Sequence, residues 1–270
     1  MRSLRLVVLA SLVLLSFARL ASGQSAPGVI RDDLRKFTID IPSGWKLDRE
    51  LLEMQNNIIK ERIADPDFVY VAAFVPEGGI TETSPYVIIQ YSPGDYKLKT
   101  WETVEAALQA SSTQDTVDKD TASVRDLVGK VAVGTPIIDR ASKRFYLRLS
   151  GDGKESTRAF EAMIIGTFAN HGLIQANSYA LEGSNVDPVA NANAFIDAVT
   201  LDEGTAFTPI AIAQAPLALS AKPAPATEQK TIWGEVSKKV GHWLLRGVII
   251  AVIVVGVSLL WAWISVKRGK

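Results

Sequence analysis

Alternation of apolar and polar positions gives the first structural information. Phe37, Ile39 and Ile41 share one face of residues 35–41, a period of two that predicts a strand, and Pro42-Ser43-Gly44 turns the chain before Trp45. Asp48 then caps a helical pattern in which Leu51, Leu52, Gln55, Ile58, Ile59, Arg62 and Ile63 recur at turn spacing, until Asp65-Pro66-Asp67 ends it. Residues 68–75 are apolar at both alternating sets of positions, which predicts a strand covered on both sides; residues 86–92 predict another. Trp101, Val104 and Leu108 lie along one side of a helix predicted over 101–110, and a polar stretch leads to a weaker helix at 121–128.

The last third predicts a meander, with strands at 137–138, 145–149, 157–168 and 173–181. Turns at Ser150-Gly151-Asp152-Gly153 and Asn170-His171-Gly172 join its longer members. Asp187 followed by Pro188 is an N-cap with proline at the first helical position, and the helix is expected to reach Thr200, burying Val189, Phe195, Ile196 and Val199. Helices flanking an antiparallel sheet imply an α+β fold, a layered sandwich, over residues 30–204.

Hydropathy separates the two ends from this domain. Arg2 and Arg5 precede an apolar run, 6–18, which Arg19 closes; Ala21-Ser22-Gly23 then supplies small residues before a cleavage point at Gln24. That layout predicts a signal peptide at 1–23, since its apolar core is too short to span a bilayer. Residues 247–266 carry no charge and at 1.5 Å per residue reach about 30 Å, the thickness of the hydrocarbon core. They predict a transmembrane helix, with 267–270 as a basic cytoplasmic tail. An Ala/Pro-rich linker is expected at 205–230, and an amphipathic juxtamembrane helix at 231–246. On a helical wheel Trp233 and Trp243 join the apolar side of that helix, with Lys238, Lys239 and Arg246 opposite, the pattern of a helix lying in the lipid headgroups. Within the span, Gly247, Ala251, Ser258, Ala262 and Ser265 fall within about 60° of one another, a stripe small enough for a second helix to approach. The expected location is therefore the cytoplasmic (inner) membrane, single-pass, with the domain in the periplasm or an equivalent extracytoplasmic space.

Charge changes the picture of partners. Residues 24–205 hold 18 Lys and Arg against 27 Asp and Glu, whereas 206–270 hold 8 against 2. An acidic domain argues against nucleic acid as a partner, because phosphates need basic side chains to neutralise them. The lipid bilayer is the expected partner of the basic end, with a membrane protein or a second copy docking along the small-residue stripe. The chain has no cysteine, so the domain must be held by its core alone.

Candidate chemistry is sparse. The histidines are His171 and His242; a serine hydrolase would have to use His171, which sits in a predicted turn. Gly151-Asp152-Gly153-Lys154-Glu155-Ser156 lacks phosphate-loop spacing and joins two strands, so a hairpin turn is expected. Asp115, Asp118 and Asp120 hint at a calcium loop, but the glycine and glutamate such a loop needs are missing, and a solvated acidic loop is expected instead. No cofactor motif is recognised.

The opening Phe37-Thr38-Ile39-Asp40-Ile41-Pro42-Ser43-Gly44-Trp45 resembles the start of the PsbP-like family, in which a strand runs into Pro-x-Gly-Trp. The strand meander and closing helix are similar in order, so that the resemblance covers roughly residues 30–201. It implies an extracytoplasmic accessory protein without enzymatic activity; the helix near residues 49–64 and the membrane span depart from the family's usual pattern. The reading that follows is a membrane-anchored accessory or interaction protein. A small-ligand-binding module with an apolar pocket near Trp45 or Trp101 is the alternative, and a hydrolase centred on His171 is third.

Overall fold

The computed structural model describes residues 28–62, 66–79, 85–97, 99–122, 125, 129–152, 159–182, 184 and 186–209. Its elements are β1 (Val29–Asp32), β2 (Phe37–Asp40), β3 (Trp45–Leu47), α1 (Arg49–Arg62), β4 (Val69–Pro76), β5 (Tyr86–Pro93), α2 (Trp101–Ser111) and α3 (Gln114–Asp120). They are followed by β6 (Val131–Val133), β7 (Ile137–Asp139), β8 (Arg144–Gly151), β9 (Phe160–Ala169), β10 (Gly172–Leu181), α4 (Pro188–Asp197) and β11 (Val199–Leu201). The α+β expectation holds. An 8-stranded antiparallel sheet runs in the order β3-β4-β5-β10-β9-β8-β6, with β7 also on β8, and β1-β2-β11 form a second, 3-stranded sheet.

Both faces of the large sheet are buried, which is why β4 and β5 read as continuous apolar runs. On one face Leu51, Ile58 and Ile59 of α1, Val104 and Leu108 of α2 and Val117 of α3 pack on Tyr70, Ile88, Ile164 and Leu173. On the other, Phe195 and Ile196 of α4 join Phe37 and Ile39 of the small sheet over Phe74, Val87, Ile165 and Ile174. The result is three layers with two cores, one on each side of a shared sheet.

The Pro42–Trp45 turn follows from its sequence. The Trp45 amide donates to the Pro42 carbonyl at 3.2 Å, and Gly44 takes φ +80°, a conformation costly for a side-chain-bearing residue. The turn hands the chain from the small sheet to the large one. Trp45 is left edge-on to Phe195, with ring centroids 5.1 Å apart.

Three expectations need correction. The helix capped by Asp187 ends at Asp197, and Val199–Leu201 is a strand, because its pairing with β2 (Val199 opposite Ile39, Leu201 opposite Phe37) outweighs one more helical turn. The polar stretch before residue 121 is itself helical, as α3, whose N-cap is Thr113. Asp115 and Asp118 therefore stand on a helix and not on an acidic loop. Phe207, two residues into the expected linker, is fully buried, and Ala206 bridges to Ala169. The segments expected to be signal peptide, juxtamembrane helix and transmembrane helix lie outside the described residues, among which no helix is long and apolar enough to cross a membrane.

The Asp187 cap is real: its carboxylate accepts from the Val189 amide at 2.8 Å. Asp187→Ala should cost about 1 kcal/mol, and a fall of the thermal midpoint by roughly 2–4 °C would register it.

Candidate functional site

Polar side chains are seldom buried without partners, so a cluster of them inside a sheet calls for explanation. Here strand alternation creates one. On the face covered by α1 and α2, β5 presents Tyr86, Ile88, Gln90 and Ser92, while β10 presents Leu173, Gln175, Asn177 and Tyr179. The register sets Gln175 opposite Gln90 and Tyr179 opposite Tyr86, and on the other side of β5 it sets Tyr70 of β4 opposite Gln90. From above, α1 adds Gln55, on the same helical face as Leu51, Ile58 and Ile59. Gln55, Gln90, Gln175 and Asn177 are all fully buried.

Part of this seam is internally satisfied. The Asn177 Nδ2 donates to Gln90 Oε1 at 3.1 Å, and Gln90 Nε2 donates to Ser92 Oγ at 3.1 Å. The rest is not. Both the Nε2 and the Oε1 of Gln175, the Oδ1 of Asn177 and the hydroxyls of Tyr70 and Tyr179 have no hydrogen-bond partner among the described residues. Leaving a buried group of this kind unpaired costs on the order of 1–3 kcal/mol.

The phenols lie close together. Tyr86 and Tyr179 have ring centroids 4.9 Å apart. Desolvation pushes the Tyr179 hydroxyl well above its ordinary range, and the neighbouring Tyr70 and Tyr86 phenols add to this. Tyr70 is raised in the same way, by burial first and by Tyr86 second. Both remain protonated donors at any physiological pH. Beside Gln175, its neighbour on β9 is Gly166. The Phe145 ring leans across that glycine, so close that a Cβ there would lie 2.0 Å from Phe145 Cε1.

No protein-family model matches the chain, and no curated protein matches it. Solved structures give a weak likeness. The solution structure of cyanobacterial PsbP (CyanoP) from Synechocystis sp. PCC 6803 is 13% identical with a TM-score of 0.39, covering 66% of this chain and 95% of that one. The crystal structure of the Ran-binding protein Mog1p from Saccharomyces cerevisiae is 10% identical with a TM-score of 0.35, covering 64% of this chain and 94% of that one.

The residues singled out by sequence lie elsewhere. Trp45 and Trp101 belong to opposite cores. Trp101 is edge-on to Phe168 and Phe207, at 5.8 and 5.0 Å between ring centroids, so both indoles serve as packing. His171 is exposed in the β9–β10 turn, where its carbonyl accepts from the Gly94 amide at 3.0 Å and the Tyr91 hydroxyl at 2.7 Å. Asp118 accepts from Gln114 at 3.0 Å and pairs with Arg125 at 3.4 Å. Among the described residues no group of three carboxylates or histidines is gathered as a metal site would need. The membrane-interface residues Trp233, Lys238, Lys239, Trp243 and Arg246, and the small-residue stripe from Gly247 to Ser265, lie outside the described residues.

The seam was missed because a lone glutamine in a strand reads as its solvent side. The available signal was the pair of runs Tyr86-x-Ile-x-Gln-x-Ser92 and Gln175-x-Asn-x-Tyr179. Both place polar residues on one alternating face of strands whose other face is apolar.

Proposed function

We propose that the chain is a membrane-anchored extracytoplasmic accessory protein that acts by binding and not by catalysis. The observation that carries this reading is the seam. Its groups are amides, hydroxyls and phenols, all neutral, with Tyr70 and Tyr179 held protonated by burial. Such a set lacks the group poised to exchange a proton near neutral pH that general acid–base catalysis requires. The leader-like start and the charge-free stretch 247–266 support anchoring. The acidic balance of residues 24–205 supports work away from nucleic acid.

Two experiments test the reading. Protease added to spheroplasts should remove the domain while a tag at Lys270 stays protected; cleavage of the tag with survival of the domain would reverse the topology. Full-length protein purified in mild detergent should bring down a membrane partner or a second copy. Ser258→Leu/Ala262→Leu should abolish that association, at least tenfold in yield, whereas Val257→Leu/Leu260→Ile should retain it. Equal loss from both pairs would remove the small-residue stripe from the account.

A further inference from the structure

Resting on the reading of the chain as membrane-anchored, we propose that the end of the domain from which the chain departs is itself a lipid-docking surface. It settles on anionic headgroups, with Leu34 entering the bilayer surface among basic side chains.

Hydrogen bonds define this end. In the β1–β2 turn the Lys36 carbonyl accepts from the Asp202 amide at 3.0 Å, and the Asn170 amide of the β9–β10 turn donates to the Thr205 carbonyl at 2.7 Å. Just past β5, the Gly94 and Tyr96 amides donate to the His171 and Asn170 carbonyls, each at 3.0 Å. Lys143, in the β7–β8 turn, donates to the Phe207 carbonyl at 2.8 Å. Four turns are thus gathered around residues 202–207, and a chain anchored through residues 247–266 is tethered by this end. The far end lies about 30 Å away, the length of β10 from Gly172 to Leu181.

The tip of the β1–β2 turn is Leu34, at 83% the most exposed large apolar side chain among the described residues. Its turn is braced. The Lys36 amide donates to the Asp32 carbonyl at 2.8 Å, and the Arg35 guanidinium pairs with Asp32 while lying 5.3 Å from the centre of the Tyr91 ring. The Tyr91 hydroxyl in turn donates to the His171 carbonyl at 2.7 Å. The leucine is therefore held outward by a fixed frame.

Charge around the tip favours a lipid surface. Lys36 and Lys97 are exposed and Lys99 half-buried, and none of the three makes an ion pair with a described residue. Asp32 is neutralised by Arg35, and Asp33 and Asp202 by Arg31, which leaves Asp95 and Glu203 as the acids of this end. At the far end Glu77, Asp152, Glu182 and Asp187 are all exposed. A domain that is acidic as a whole turns its basic, apolar-tipped end toward its tether, the orientation that an anionic surface selects. One leucine and a few lysines would hold a free protein on lipid only weakly. A tether raises the local concentration enough for such a contact to persist.

The test uses the full-length protein, which has no cysteine of its own, in vesicles of phosphatidylcholine with phosphatidylglycerol. Single nitroxide labels are introduced through Leu34→Cys, His171→Cys, Glu77→Cys or Glu182→Cys. Their collisions with oxygen, which concentrates in lipid, are compared with those of a water-soluble nickel chelate. The oxygen-to-nickel ratio at residue 34 should exceed that at 77 and 182 at least about fivefold, the difference between the acyl boundary and open water. Lys36→Glu/Lys97→Glu should return residue 34 to the ratio found at 182, and Leu34→Asp should do the same for a label at 171. Equal ratios at 34 and 182 overturn the docking, even where native membranes shield residue 34, because a protein would then be the occupant. Shielding that survives Lys36→Glu/Lys97→Glu overturns the headgroup contact. An alkaline carbonate wash distinguishes these results from failure of the anchor. A chain that stays with the vesicles but keeps residue 34 in water loses only the docking surface; a chain washed off loses the anchored reading, and this proposal with it.

Discussion

Phe168→Ala should lower the stability of the domain by about 3–5 kcal/mol, the range for deleting a fully buried aromatic ring. The side chain is 1% exposed and sits at the centre of an aromatic group that closes one end of the helix-covered core. Its ring centroid lies 5.5 Å from Tyr96, 5.8 Å from Trp101, 5.8 Å from Phe145 and 5.8 Å from Phe207. Those neighbours come from a loop, a helix, a strand and the segment after β11, so no single local shift can refill the space. Urea unfolding of the full-length protein in detergent would read the loss as a lower midpoint at unchanged slope. A change below about 1 kcal/mol would mean that the aromatic group collapses onto itself, contrary to the packing described.

The second large effect comes from adding atoms. Gly166→Ala should cost about 1–3 kcal/mol through overpacking. The new Cβ would lie 2.0 Å from Phe145 Cε1 and 2.8 Å from Cδ1 and Cζ. Phe145 cannot simply retreat, because it is fully buried and backed by Phe168. Two measurements separate this from a loss of strand flexibility: the thermal midpoint of Gly166→Ala alone, and that of Gly166→Ala combined with Phe145→Leu. The double variant should lose less than the two single changes summed, since the leucine vacates the space that the methyl needs. Strict additivity would show that the ring is not the obstacle.

How far the sequence disclosed this structure depends on how local each decision is. The long central strands were legible because β4, β5, β9 and β10 are buried on both faces and dense in apolar residues. The caps at Asp187 and the turn at Gly44 were legible because they act on their immediate neighbours. The short strands were not. Trp45–Leu47 and Val199–Leu201 owe their conformation to partners distant in sequence, Val29–Asp32 is a four-residue arm of a hairpin with Phe37–Asp40, and Val199 suits the buried side of a helix as well as that of a strand. The helix at 114–120 was not legible in its polar sequence, although Thr113 was there to cap it. The candidate site was the least legible part. Its polar residues are buried by α1 and α2, and which face of a strand a helix will cover is a tertiary fact.

Surface ion pairs hold the periphery without deciding the fold. Arg31 grips Asp202 through two nitrogens, at 2.5 and 2.6 Å, and Arg140 reaches Glu105 and Glu102 across the gap between the β7–β8 turn and α2. All are solvent-facing, where screening leaves little net gain.

The position of Phe207 has a mechanical consequence. It is the last buried residue among those described, its amide donating to the Phe168 carbonyl at 3.3 Å and its carbonyl accepting from the Lys143 ammonium at 2.8 Å. Tension applied to the chain immediately beyond Phe207 would be met at this ring. The force would be borne by an aromatic plug seated against Tyr96, Trp101 and Phe168, and the sheet behind it would feel the load only after the plug had been drawn out.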